Sequence, residues 1–149
     1  MDKRTYLLVV TLITAIILTL SATGAMKRTH GAKPPATEFG PGPRISAQGL
    51  YVATLQGAKK LEPRKMYTLQ AIVIDGKTAE PITNASITID GGMPQHGHGL
   101  PTRPRVTMNL GNGWYEVSGV RFNMGGWWEV KLTINGPAGT DTVTFNLSV

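Results

Sequence analysis

From about Ile45 onward the chain alternates apolar and polar residues in short runs. Tyr67, Leu69, Ala71 and Val73 alternate with Thr68, Gln70 and Ile72, and Asp75-Gly76-Lys77 follows as a turn. Ala85, Ile87 and Ile89 alternate with Ser86, Thr88 and Asp90 as far as Gly91-Gly92. Val106 and Met108 precede the turn Gly111-Asn112-Gly113, with Tyr115 and Val117 beyond it. Trp128, Val130, Leu132 and Ile134 alternate with Trp127, Glu129, Lys131 and Thr133. After Asn135-Gly136-Pro137, Val143, Phe145, Leu147 and Val149 alternate with Thr144, Asn146 and Ser148. A period of two buries one face of a strand and leaves the other wet. About seven such strands, spaced by Gly/Asn/Pro turns, predict an all-β fold, an immunoglobulin-like antiparallel β-sandwich. This parity places Met108 and Trp128 in the core and Trp127 on the exposed face.

The N-terminus follows a different pattern. After Met1-Asp2-Lys3-Arg4, the run Tyr6–Ala25 contains no charge. About twenty apolar residues in a helix span a bilayer core. Lys3 and Arg4 hold the leading end in the cytoplasm, which places the rest of the chain outside. A cleaved signal peptide is the other reading: Leu7–Leu20 fits its apolar core and Thr23-Gly24-Ala25 its cleavage site. Both readings export the domain. The expected location is the cytoplasmic membrane, single-pass with the C-terminal domain outside, or the periplasm or exterior if the segment is cut. Residues 1–25 are thus a membrane anchor or signal segment. Residues 26–45, with Lys33-Pro34-Pro35 and Gly40-Pro41-Gly42-Pro43, read as a basic, semi-rigid linker. Residues 46–149 form the β domain, a size that buries a core of its own.

Composition narrows the chemistry. With no cysteine among 149 residues, disulfides, thiolate metal sites and thiol nucleophiles are excluded. The net charge of +6 is concentrated between Met26 and Met66. There Lys27, Arg28, Lys33, Arg44, Lys59, Lys60, Arg64 and Lys65 face only Glu38 and Glu62. Basic residues just outside a membrane segment suit a headgroup-facing tether. No dense basic helix or aromatic-basic interleaving supports a nucleic-acid partner. Catalysis finds little support either. The serines lie in no nucleophile-elbow setting, the carboxylates are scattered, and no Gly-rich loop opens a helix. No catalytic residue and no organic-cofactor site is expected.

One segment stands apart: Gly91-Gly92-Met93-Pro94-Gln95-His96-Gly97-His98-Gly99-Leu100-Pro101. Two of the chain's three histidines sit there; His30 lies in the linker. Residues two apart in extended backbone point the same way, so His96 and His98 can present both imidazoles to one point. Met93 lies just before them. Met124, in Arg121-Phe122-Asn123-Met124-Gly125-Gly126-Trp127-Trp128, can join from a neighbouring loop at the same end of a sandwich. Imidazole suits copper, zinc and nickel, and thioether suits Cu(I). The set Met93, His96, His98 and Met124 therefore points to copper, with Cu(I) favoured and Cu(II) available through the histidines. Asp90 can orient an imidazole, and Trp127 can cap the site. Against this stand plainer readings. His-Gly-His-Gly also suits a polar turn whose imidazoles meet backbone carbonyls, and Met124 also suits a core filler.

The order of motifs resembles the YtkA-like and FixH-like exported domains. The matching pieces are Leu69–Asp75 with Gly76-Lys77, then Pro81-Ile82-Thr83-Asn84-Ala85-Ser86-Ile87 and Met93-Pro94-Gln95-His96-Gly97-His98. Gly113-Trp114-Tyr115-Glu116-Val117 and Phe122-Asn123-Met124-Gly125-Gly126-Trp127-Trp128-Glu129-Val130 complete them. The resemblance covers about residues 60–149. It implies an immunoglobulin-like domain outside the cytoplasmic membrane, in a copper-handling or oxidase-assembly context, with Met93, His96, His98 and Met124 as the site. It also favours an anchor over a cleaved signal. The expected function is a non-enzymatic, metal-binding accessory protein for copper delivery, storage or oxidase assembly. Its partners are the membrane and a copper acceptor or membrane complex. The alternative is a metal-free assembly module that contacts a membrane complex through the same loop.

Overall fold

The computed structural model describes residues 32–149. The hydrophobic run Tyr6–Ala25 and the first part of the linker, with His30, lie outside the described residues. A 3-10 turn at Ala36–Glu38 precedes nine strands. They are β1 (Arg44–Ile45), β2 (Tyr51–Gln56), β3 (Met66–Asp75), β4 (Ser86–Met93), β5 (His98–Gly99), β6 (Arg105–Gly111), β7 (Trp114–Arg121), β8 (Trp127–Gly136) and β9 (Gly139–Ser148). Every pairing between them is antiparallel. The fold is therefore all-β and antiparallel, as the alternating pattern predicts.

The strands follow the order β1-β2-β3-β7-β6-β4-β8-β9, with β5 on β4. One residue pair, Thr88 opposite Arg105, joins β4 to β6. The sheet curls until β9 approaches β1 and β2, which makes it nearly a barrel. Side chains of the inward parity fill the enclosed space. Trp128, Val130, Leu132 and Ile134 of β8 meet Val143, Phe145 and Leu147 of β9, and Tyr51, Ala53 and Leu55 of β2 lie among them. Phe122 sits edge-on to Trp128 at 5.2 Å between ring centroids. Burial at about 25 cal/mol per Å² of apolar surface is the main stabilising term of such a core.

Three features depart from the simple pattern. β2 does not alternate: Tyr51 through Leu55 are all buried. Its inner residues join the main core, while Val52 packs with Ile74 and Ala79 on the other face. Met108, expected in the core, is 54% exposed. The β6–β7 register shifts between Val106 and Met108, and a bulge moves the following side chains to the opposite face. Finally, residues 34–47 lie on the domain. Phe39 bridges Asn146 in parallel, and the Gly40 N–H donates to the Asn146 carbonyl at 2.8 Å. The Leu55 N–H donates to the Pro41 carbonyl at 2.8 Å, and the Ala47 N–H to the Thr142 carbonyl at 2.9 Å. This strap bonds to both open edges, β9 and β2, and closes the seam between them.

Two buried polar groups fix the connections. The Tyr115 hydroxyl donates to the Ile82 carbonyl at 2.7 Å and accepts the Ala85 N–H at 3.0 Å, which pins the crossing from β3 to β4. Asp141, also buried, accepts N–H groups from Gln48 at 2.9 Å, Leu50 at 3.3 Å and Thr142 at 2.8 Å. Burial pushes the Asp141 carboxyl up. The Ser46 hydroxyl and the three backbone donors together outweigh it and hold the pKa below the ordinary carboxylate value.

Tyr115→Phe deprives the buried Ile82 carbonyl and the half-buried Ala85 N–H of this partner, at about 1–3 kcal/mol. Its melting temperature should fall by several degrees in a thermal scan. For Asp141 the sign follows from linkage. A group whose pKa is lower when folded stabilises fully above its unfolded value, about 3.9, and loses that stability as pH falls through the folded value. Stability should hold from neutral to about pH 5 and drop below about pH 4. Asp141→Asn should melt lower than wild type at pH 7, with the gap narrowing in acid; a constant gap across a pH series of melts would count against this account.

Candidate functional site

The Met93–His98 segment is a β-hairpin continuing the far end of β4. Gly92 stands opposite Gly99, and Met93 opposite His98. Directly opposed residues in an antiparallel pair project from the same side of the ribbon. The turn between them is tied by the Met93 carbonyl, which accepts the N–H groups of His96 at 3.0 Å and Gly97 at 2.9 Å. Gly97 has φ of 66°, a left-handed conformation that glycine enters without strain. At Gly92 the reason is approach: a Cβ there would lie 2.6 Å from the His98 carbonyl oxygen.

Both imidazoles are exposed. Their planes are nearly parallel, at 9°, with ring centroids 6.3 Å apart. His96 and His98 thus stand side by side, but not through the extended backbone that the two-residue spacing assumes: residues 94–97 form a turn, and left-handed Gly97 lies between the two histidines. Met93 is buried and belongs to the core. Its methyl lies where a side chain on Gly126 would begin: a Cβ there would come within 2.9 Å of it. The β7–β8 loop, residues 122–126, therefore packs against the base of the hairpin. Met124 is in that loop and 40% exposed. Its carbonyl accepts the Trp128 indole N–H at 3.0 Å. The exposure sets aside the reading of Met124 as a core filler.

A recess of about 390 Å³ opens beside the hairpin. Its walls include Asp90, Met93, His98, Trp127, Glu129 and Lys131, with Ala32 and Pro34 of the strap on one side. His96 and Met124 do not line it. The Asp90 carboxylate accepts the Gly91 N–H at 2.7 Å, and Glu129 pairs with Lys131 at 3.3 Å. Among the described residues no three His, Cys, Asp or Glu side chains converge as a metal-binding group. Met93 and His98, opposite each other in the ladder, both border the recess, the first from the core and the second from solvent.

Trp127 corrects an expectation. It lies beside the hairpin, as anticipated, but is only 6% exposed. Its parity does face outward from the sheet. The strap covers it: Phe39 meets it edge-on at 6.3 Å, and its indole N–H donates to the buried Asn146 side chain at 3.0 Å. Lys33 in turn lies over the Phe39 ring at 5.5 Å. Trp127 is a wall of the recess and a seat for the strap. Glu129, Lys131, Ala32 and Pro34 were not among the residues the sequence pointed to. Glu129 shares the parity of Trp127 on β8, which was a usable signal; the contribution of Ala32 and Pro34 had none.

No curated protein matches the chain. One solved structure, described as the ZirS C-terminal domain, is 14% identical to it, with a TM-score of 0.41 over 88% of each chain. Residues 45–133, more than half of the chain, match the family described as YtkA-like, and the chain belongs to that family.

Proposed function

We propose that this is an exported, membrane-anchored copper-binding accessory domain, not an enzyme, that holds Cu(I) at the Met93–His98 hairpin for delivery, storage or assembly of an oxidase. The observation that carries the reading is the register of the hairpin. It places a thioether directly opposite an imidazole, with a second imidazole parallel to the first. These donors fit the ion: thioether and imidazole are the ligand types that Cu(I) accepts and hard cations refuse. With metal–nitrogen bonds of about 2.0–2.1 Å, two imidazole nitrogens on one ion lie at most about 4 Å apart. The exposed rings, stacked with centroids 6.3 Å apart, come within that separation by swinging about their side-chain bonds. Met93 gives the third donor. Met124, on the loop that packs against Met93, is the fourth. Asp90 and Trp127 line the adjoining recess and shape its access, and Cu(II) is the weaker alternative through the histidines.

We further read the fold as an immunoglobulin-like sandwich. The order β2-β3-β7-β6 on one side of the Thr88–Arg105 link and β4-β8-β9 on the other is the order of a seven-stranded domain of that type. A second reading is favoured by the exposure of both imidazoles. In it the hairpin is a metal-free contact surface for a membrane complex.

A Cu(I) titration of the full chain in detergent, against a competing chelator, separates the two. The copper reading expects one tight equivalent in the parent, lost or weakened by a hundredfold or more in His96→Ala/His98→Ala and weakened less in Met93→Leu. Bound copper should also raise the melting temperature, since a ligand of the native state alone adds about 2.7 kcal/mol at a hundred times its Kd. A folded parent that binds no copper and melts unchanged would leave the contact surface as the function.

A further inference from the structure

The register gathers particular loops at each end of the domain. The β2–β3 loop (57–65), the tip of the His hairpin, the β7–β8 loop (122–126) and Pro34 of the strap share one end. That end carries Lys33, Lys59, Lys60, Arg64, Lys65 and Arg121 against Glu38, Glu62 and Glu129. The opposite end carries Asp75, Glu80 and Asp141 against Lys77. Ion pairing leaves much of the basic end uncompensated. Glu62 pairs with Lys60 at 3.9 Å and with Lys65, and among the described residues Lys59 and Arg64 pair with no carboxylate.

The basic end also carries apolar surface. Met66 is 60% exposed and Met124 40% exposed. An apolar groove of about 320 Å³, lined by Phe39, Leu55, Leu61, Leu69 and Leu147, opens there with Lys59 and Lys60 among its walls. The two loops form one platform. The Arg64 N–H donates to the Phe122 carbonyl at 2.6 Å, and a Cβ on Gly125 would meet the Pro63 ring at 3.9 Å. Arg64 itself holds a φ of 66°, an unusual backbone for a non-glycine residue that the bond to Phe122 maintains.

We propose that this end is a docking surface for an anionic lipid bilayer, which turns the His hairpin toward the membrane. Long cationic side chains set among exposed methionines and an apolar groove match the layered chemistry of a bilayer surface, phosphates outside and acyl chains beneath. The position of the chain favours a bilayer over an acidic protein. The uncharged run Tyr6–Ala25 precedes the domain, and the chain enters at this same end. Six residues separate Ala25 from Ala32, a span of at most about 20–25 Å, so an embedded run keeps the basic end close to the surface. This part of the argument rests on reading that run as a membrane segment. The attraction falls off within a Debye length and weakens in salt.

The test uses the full chain in nanodiscs of phosphatidylcholine alone or mixed equally with phosphatidylglycerol, without metal. The chain has no cysteine, so Met66→Cys and Thr140→Cys each give one labelling site, at the basic and the opposite end. A fluorophore at each site is read against a headgroup spin-labelled lipid. The label at position 66 should be quenched several-fold more than that at 140 on anionic discs. The difference should collapse on phosphatidylcholine, in high salt, and in Lys59→Glu/Lys60→Glu. Equal quenching at both sites, or quenching that survives charge reversal, overturns the proposal. So does a label at 66 that responds only to an added acidic protein. Co-elution with discs reports the membrane segment separately. A chain that rides only on anionic discs, and leaves them in salt, supports the docking surface while removing the anchor.

Discussion

Closure of the curled sheet is the constraint on which the rest of the molecule depends. A curled sheet whose two parts are joined by a single residue pair leaves two edges to be covered. Open edges expose unpaired backbone groups and invite wrong pairings. The strap from Phe39 to Ala47 satisfies both edges, and Asp141 fastens its far end by gathering backbone donors from Gln48 and Leu50. With no cysteine available, a buried carboxylate fully supplied with hydrogen bonds does what a disulfide does in many exported domains. The consequence reaches the site, because the same strap covers Trp127 and supplies Ala32 and Pro34 to the wall of the recess.

The hairpin that carries the histidines is built to be narrow. Backbone packs on backbone where Gly92 faces Gly99, and the short turn returns the chain so that Met93 and His98 stand opposite each other. A thioether fixed in the core beside a solvent-facing imidazole is an uneven pair, one rigid and one free.

Much of this was legible in the sequence, and the misses have physical causes. β8 and β9 announce themselves because most of one face of each is wet. β2 does not, because the Val52 face is buried against Ile74 as well. Met108 was misplaced because a bulge reversed the parity that placed Trp128 correctly. Trp127 has the outward parity it was given, yet a segment far away in sequence covers it. The closeness of His96 and His98 was visible in the sequence, although a turn and not extended backbone brings it about. The sequence already set Met93 beside the pair; that Met93 stands opposite His98 needed the hairpin register, and no one-dimensional pattern states a register. The gathering of basic loops at one end needed the topology for the same reason.

The strap has a mechanical meaning as well. Its hydrogen bonds to Asn146, Leu55 and Thr142 are spread along its length, on both sides of the seam. A pull on the chain at residue 32 acts along the strap and loads these bonds together, in shear, instead of opening them one after another like a zipper. A domain tethered through such a strap resists force at the point where force would enter it.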